Sequence, residues 1–217
     1  GGAKKIMNTA KQSLYERIKQ DILDEQLPLG EGLKQEVLSL RYGVSRIPVR
    51  DTLLRLKSDG WLVPHGKRGV KIEPLNAEEA EDLYKLRVLV EPMILEHVIE
   101  KITLQDIGKA RDILAYIEKN TGLSSQEVGE LNWQFHACLY ACAKRDTLFS
   151  SIENLHFKCS RYIGFHNREL DYMHISEQEH HELIAGIEAK NLLLSQTILQ
   201  QHIQNAGEKL VSHLKSR

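Results

Sequence analysis

Two sets of side chains in this chain have the types and spacing to do chemistry. The first is cationic. In Leu38–Trp61 (LSLRYGVSRIPVRDTLLRLKSDGW), Ser45 is followed by Arg46 and, a turn later, by Arg50, with Arg55 and Lys57 beyond. A hydroxyl and two guanidinium groups at a helix start can hold phosphates, and arginine can bond two acceptors on one guanine edge. A solvated basic face would carry the same charges, so this pattern alone leaves both readings open. The second set is a ligand-type pair. Asn132 and His136 stand four residues apart, on one face of a helix, flanked by Phe135 and Leu139. The pair suits a bound cation or an ordinary core histidine.

The cationic set needs elements to aim it. The stretch reads as a short helix, a turn at Tyr42-Gly43, and a second helix opening at Ser45, whose hydroxyl is expected to cap the first turn. Val49, Leu53, Leu54 and Leu56 mark its buried stripe. After Gly60, the run WLVPHGKRGVKI reads as a two-stranded ribbon with a basic tip at His65, Gly66, Lys67, Arg68 and Gly69. A further helix over residues 10–26, with Leu14, Ile18, Ile22 and Leu23 at helical spacing, packs behind the pair. Together these predict a winged helix-turn-helix. Its tip would reach the minor groove, where negative potential draws Arg, Lys and His.

Pro74 and Asn76 mark a boundary, dividing a winged domain at 1–75 from an all-helical domain at 76–217. Apolar residues recur at three and four from there on. The spacing predicts helices at 77–101, 103–119, 124–143, 146–166, 171–189 and 191–215. Asn76, Thr103, Ser124 and Asp146 stand where caps belong, Asn120 and Gly122 where a helix ends, and Glu91-Pro92 where the first bundle helix kinks. The fold class is mainly α: a winged helix-turn-helix with its small ribbon, then a helical bundle.

Charge separates the two halves. Residues 1–75 carry 14 Lys and Arg against 9 Asp and Glu, whereas 76–217 carry 15 against 21. A basic head suits a phosphate surface that the acidic remainder would avoid. No apolar stretch is long enough for a membrane span, and the first ten residues lack an apolar core, so neither membrane anchoring nor a signal peptide is expected. The odd count of three cysteines, Cys138, Cys142 and Cys159, fits buried reduced thiols in a cytoplasmic protein. No Gly-rich phosphate loop or nucleophile elbow appears, which argues against an enzyme.

Residues 13–72 resemble the DNA-binding domain of the GntR family of bacterial transcription regulators. The resemblance rests on Leu27-Pro28-Leu29-Gly30-Glu31, on Gly43-Val44-Ser45-Arg46-Ile47-Pro48-Val49-Arg50-Asp51, and on Asp59-Gly60-Trp61-Leu62 with the Gly69 wing. It implies DNA contacts by Ser45, Arg46 and Arg50, with His65, Gly66 and Lys67 at the wing. Glu36 stands where the family often has a further DNA-contacting arginine. Residues 78–215 resemble the FCD ligand-binding domain of FadR-type members, in its short six-helix, VanR-like form. Its carriers are Leu83-Tyr84-Lys85-Leu86-Arg87 with Glu91, Asn132-x-x-Phe135-His136, and Glu179-His180-x-x-Leu183-Ile184, with His202 following His180 by twenty-two residues. The resemblance implies a divalent metal held by Asn132, His136, His180 and His202. Asn132 replaces the usual aspartate and offers an oxygen without charge. His181 is the competing neighbour of His180, but adjacent residues on a helix point about 100° apart, so only one faces the core. His97, His156, His166, His174 and His213 are read as solitary and solvated or hydrogen-bonded.

Zinc is the expected ion, with nickel or manganese as alternatives. Metal occupancy is expected to fall below about pH 6.5, where free histidine protonates. Arg87 is either the partner of an effector carboxylate or a salt-bridge partner of Glu91, four residues on. The implied function is a metabolite-responsive regulator, a repressor in most of the family, binding a palindromic operator in double-stranded DNA as a homodimer and answering to a small carboxylate. A metal-sensing regulator and a metal-dependent enzyme with a DNA-binding appendage are the rival readings. Acyl-CoA is the rival effector, although members sensing it lack the histidine set.

Overall fold

The computed structural model describes residues 12–123, 125–169 and 173–216. Contacts divide the chain into two compact units, Gly1–Pro74 and Leu75–Arg217.

In the first unit α1 (Leu14–Leu23), α2 (Gln35–Tyr42) and α3 (Arg46–Ser58) precede a ribbon of β1 (Val63–His65) and β2 (Gly69–Lys71). α1 starts at Ser13, whose hydroxyl accepts the Glu16 N–H. α2 stops at Gly43, whose left-handed backbone (φ 66°) turns the chain into α3 without the clash a Cβ would bring. The strands pair antiparallel, with Pro64 opposite Val70 and His65 opposite Gly69. Gly66 takes φ 65° at the tip, again where a side chain is disfavoured.

The 29–32 loop joins this ribbon, a pairing the linear pattern does not announce. The Gly30 N–H donates to Ile72 O (2.9 Å) and the Leu33 N–H to Val70 O (2.8 Å). Ile18, Leu38, Val49, Leu53, Leu56, Trp61, Leu62, Val70 and Ile72 are buried in one cluster, each apolar side chain contributing about 1.5–3 kcal/mol. Leu54 departs from the expected stripe. It is 49% exposed, because Val49, Leu53 and Leu56 already fill the inward face and Leu54 falls a step round the helix. Tyr15 donates to Asp59 Oδ2 (2.5 Å) and Tyr42 to Asp21 Oδ2 (2.6 Å), tying α1 to the end of α3 and to α2.

The second unit is helical: α4 (Ala77–Val90), a 3-10 turn at Glu91–Ile94, α5 (Leu95–Val98), α6 (Leu104–Lys119), α7 (Ser125–Tyr140), α8 (Asp146–Glu169), α9 (Met173–Glu188) and α10 (Leu192–Lys215). Asn76 caps α4, and Thr103 with Asp106 forms a reciprocal capping box on α6. Pro92 divides the first expected helix: lacking an N–H, it leaves a 3-10 turn between two α segments instead of a simple kink. Asp146 lies in the first turn of α8 and not at its cap. Ser124 falls outside the described residues.

The six long helices close a ring: α4 packs on α10, α10 on α9, α9 on α6, α6 on α7, α7 on α8, and α8 back on α4. Leu83, Ile94, Leu95, Leu114, Phe135, Leu139, Ile152, Leu183, Ile187, Leu199 and Leu210 fill its centre. Gly207 lets α10 approach α4 closely; a Cβ there would lie 2.7 Å from Tyr84 Cβ. A ring of this kind turns one stripe of every helix toward a shared interior, so polar residues on those stripes must meet one another.

Candidate metal centre and nucleic-acid interface

Three histidines meet inside the ring. His136 on α7, His180 on α9 and His202 on α10 are all buried, and their ligand nitrogens lie within 4.8 Å of one another. The rings of His180 and His202 are 4.7 Å apart by centroid, and those of His136 and His180 5.2 Å. Among the described residues His136 Nε2 and His180 Nε2 have no hydrogen-bond partner. A buried nitrogen left so costs about 1–3 kcal/mol unless something else takes its lone pair. Burial pushes the pKa of both rings well below the usual imidazole value, and the neighbouring histidines push that of His180 further. Three buried, convergent imidazoles are a donor set that fits zinc or a similar divalent ion.

The helices place the other candidates around this centre. His181 turns outward and pairs with Glu118 (Nε2 to Oε1, 2.5 Å). Asn132 sits one turn before His136 on α7, half-buried. His202 Nδ1 lies 3.5 Å from Glu179 Oε1, the kind of carboxylate that orients a ligating imidazole.

Beside the centre lies a buried polar cluster that linear spacing reached only in part. Glu91 is 1% exposed. Its carboxylate accepts from Arg87 Nε (3.3 Å) and from the Tyr140 hydroxyl (2.7 Å), and lies 3.1 Å from His156 Nε2. Tyr140 Oη in turn is 3.2 Å from His136 Nδ1. Burial works against the charge on Glu91, yet the His156 ring and the Arg87 guanidinium hold its pKa well below the carboxylate range. Burial and then Arg87 lower that of His156.

Of the two readings of Arg87, the observed partner is Glu91, and the guanidinium also lies 3.2 Å from His156 Nε2 and over the Tyr84 ring. Of the two expectations for His156, solvated or hydrogen-bonded, the second holds, and the residue is not solitary, because α8 faces the same interior as α4 and α7. The spacing of four that linked Asn132 to His136 continues to Tyr140, and it was the one signal available for that residue. Cys159 is buried and Cys138 and Cys142 half-buried, all as free thiols; burial raises Cys138 and Cys159 to about 11.

On the first unit, Ser45 occupies the N-cap position of α3, but its hydroxyl makes no capping bond. Pro48, at the third helical position, has no N–H to offer that hydroxyl, and Ser45 is exposed where a phosphate can reach it. Arg46 and Arg50 are exposed; Arg46 pairs with Glu36 of α2, and Arg50 Nη2 lies 3.4 Å from Asp51 Oδ1. His65, Gly66, Lys67 and Arg68 are exposed at the ribbon tip.

A winged helix-turn-helix in one unit and a helical ring in the other define the class of DNA-binding regulators that carry a companion helical domain. Residues 10–72 match the family described as bacterial regulatory proteins, gntR family, and residues 82–205 match the FCD domain. The chain belongs to the GntR family and is a transcriptional regulator with a DNA-binding GntR domain and an FCD effector domain. It is 26% identical over 203 residues to an uncharacterized HTH-type transcriptional regulator, YdhC, of Bacillus subtilis, covering 90% of this chain and 88% of that one. To the Nta operon transcriptional regulator of Aminobacter aminovorans it is 27% identical over 145 residues, 66% of this chain and 69% of the other. The solved structure of Escherichia coli McbR/YncC superposes with a TM-score of 0.70 at 20% identity, covering 92% of this chain and 96% of that one, a likeness of fold. Domains and relatives are those of regulators, not of enzymes. Among the described residues no helix is long and apolar enough to cross a membrane.

Proposed function

We propose that this regulator represses transcription by binding a palindromic operator as a homodimer, and that a divalent cation with a small carboxylate effector in the helical ring governs its affinity for DNA. Ser45, Arg46 and Arg50 would face the major groove, with His65, Gly66 and Lys67 beside the minor groove. His136, His180 and His202 would hold the cation, with Asn132 as a fourth or outer ligand. The ion would supply a buried positive charge and open positions for carboxylate oxygens. The convergence of three buried histidines from three helices carries this reading. A cation there would bind α7, α9 and α10 together, giving the ring two states that a regulated DNA-binding domain can answer to.

A second reading has the ion itself as the signal. The engagement of Arg87 favours it, since an effector carboxylate reaching the guanidinium must share it with Glu91. One series of measurements separates the two. Metal content is determined on the purified chain, and an operator chosen by selection from random duplexes is titrated with and without chelator, then with zinc plus small di- and hydroxycarboxylates. A response to zinc alone supports the sensor; a response that needs the acid as well supports the metabolite regulator. Indifference to both removes the metal reading. Sedimentation of the full chain at micromolar concentration tests the dimer, and a monomer would refute it.

A further inference from the structure

We infer that Tyr140, anchored by Glu91, is a positioning residue for the metal centre: it takes the Nδ1–H of His136 and so turns the bare Nε2 of that ring toward the cation. The inference rests on the proposed metal reading, and it concerns which proton arrangement makes the site competent.

Tyr140 is fully buried, and its single hydroxyl stands between two partners, Glu91 Oε1 at 2.7 Å and His136 Nδ1 at 3.2 Å. An ionised carboxylate oxygen so close to the phenol oxygen requires the proton between them, because two oxygens without one would repel. The hydroxyl hydrogen is thereby committed to Glu91, and Tyr140 offers His136 only a lone pair. A neutral imidazole has one N–H. It must sit on Nδ1, where it has an acceptor. The other tautomer would set the Nδ1 lone pair against the phenol oxygen and aim an unpaired N–H at His180 and His202. Neutral imidazole is the ligating form, so the arrangement is the one a bound cation requires.

The anchor is itself fixed. Glu91 is gripped by Arg87 on α4 and by His156 on α8, so its carboxylate cannot swing away from Tyr140. The chain Arg87, Glu91, Tyr140, His136 thus links the end of α4 to the ligand-bearing face of α7. Such outer partners raise the basicity of a ligating ring and hold its orientation, and losing one typically costs ten- to a hundredfold in metal affinity.

Tyr140→Phe tests this with least disturbance, since the ring stays and only the hydroxyl goes. Zinc affinity of the full chain is measured by competition with a chromophoric chelator, beside melting in chelator and long-range ¹H–¹⁵N spectra of the metal-free histidines. Wild type is expected to show His136 as the Nδ1–H form. In Tyr140→Phe that form should give way to a mixture, with zinc affinity down roughly tenfold or more. Glu91→Gln should move the same two readouts, but it strands Arg87 and is the variant more prone to misfold. A merely structural tyrosine would lower the melting temperature and leave both tautomer and affinity alone; that result overturns the inference. So does an Nε2–H form of His136 in wild type. If wild-type chain takes no zinc, the metal reading falls with it, whereas equal affinity in wild type and Tyr140→Phe removes this inference only.

Discussion

The Tyr140 hydroxyl donates to Glu91 Oε1 at 2.7 Å across 49 residues of sequence. That bond joins the end of α4 to α7 at the edge of the histidine cluster. A charged carboxylate at 1% exposure is tolerated only because Arg87, His156 and Tyr140 surround it. Polar groups this deep are expensive, and their presence in the middle of an otherwise apolar ring marks the place where the fold serves something other than stability.

His180 and His181 give a direct test of the centre. His180→Ala should abolish zinc retention, whereas His181→Ala, which loses only an exposed pairing with Glu118, should leave it unchanged. Asn132→Asp should tighten binding, because it sets a negative charge near the ion. Metal content and competition affinity of the three variants decide. Retention in His180→Ala, or loss confined to His181→Ala, refutes the assignment.

Acid should destabilise the metal-free chain in a defined window. The folded pKa values of His136 and His180 are depressed by burial, so below about pH 6.5 the unfolded chain takes up protons that the folded chain refuses. Stability is then lost as pH falls from that value. In the folded state the rings stay neutral below 6.5, which moves the expected drop in metal occupancy to lower pH and ties release to unfolding. Melting in chelator between pH 7.5 and 5.5, with zinc release followed alongside circular dichroism, checks this. A flat melting temperature across that range would contradict it.

On the DNA side, Arg46→Ala or Arg50→Ala should weaken operator binding by about 1–3 kcal/mol if the lost contact was bidentate to guanine. Glu36 adds a test peculiar to this chain. It pairs with Arg46 and offsets its charge at the proposed reading surface. Glu36→Ala should therefore raise affinity for random duplex and steepen the salt dependence, lowering discrimination in favour of the operator. Titrations of operator and random duplex at several salt concentrations would show it; an unchanged slope would mean that the pair opens freely in solution.

Two glycines on helices should respond oppositely to alanine. At Gly207 a Cβ would press on Tyr84 Cβ and Cγ at 2.7 and 2.8 Å, forcing α10 from α4. The overpacking cost of about 1–3 kcal/mol should outweigh a helix-propensity gain of up to about 1 kcal/mol. Gly108 on α6 meets nothing within 4 Å, so Gly108→Ala should stabilise by that propensity gain. Urea unfolding of both variants tests the contrast. Stabilisation by Gly207→Ala would mean the α4–α10 contact is softer than drawn.

The sequence by itself determined what is local. Hydrophobic period, caps such as Asn76 and Thr103, and the glycine turns at Gly43 and Gly66 depend on residues a few positions apart, and these set the helices and the ribbon. The spacing of four between Asn132 and His136 was legible for the same reason, and so was the possible pairing of Arg87 with Glu91. His180 and His202 could be joined to them only through a family pattern, because nothing in their spacing places two further helices against α7. Tertiary structure alone decided that His156 and Tyr140 belong beside them, that Leu54 faces water, and that the 29–32 loop joins the ribbon. The physical reason is closure of the ring. Six helices packed in a circle impose one common interior, and which polar groups meet there depends on how all the helices are rotated to bury their apolar stripes. No single helix holds that information.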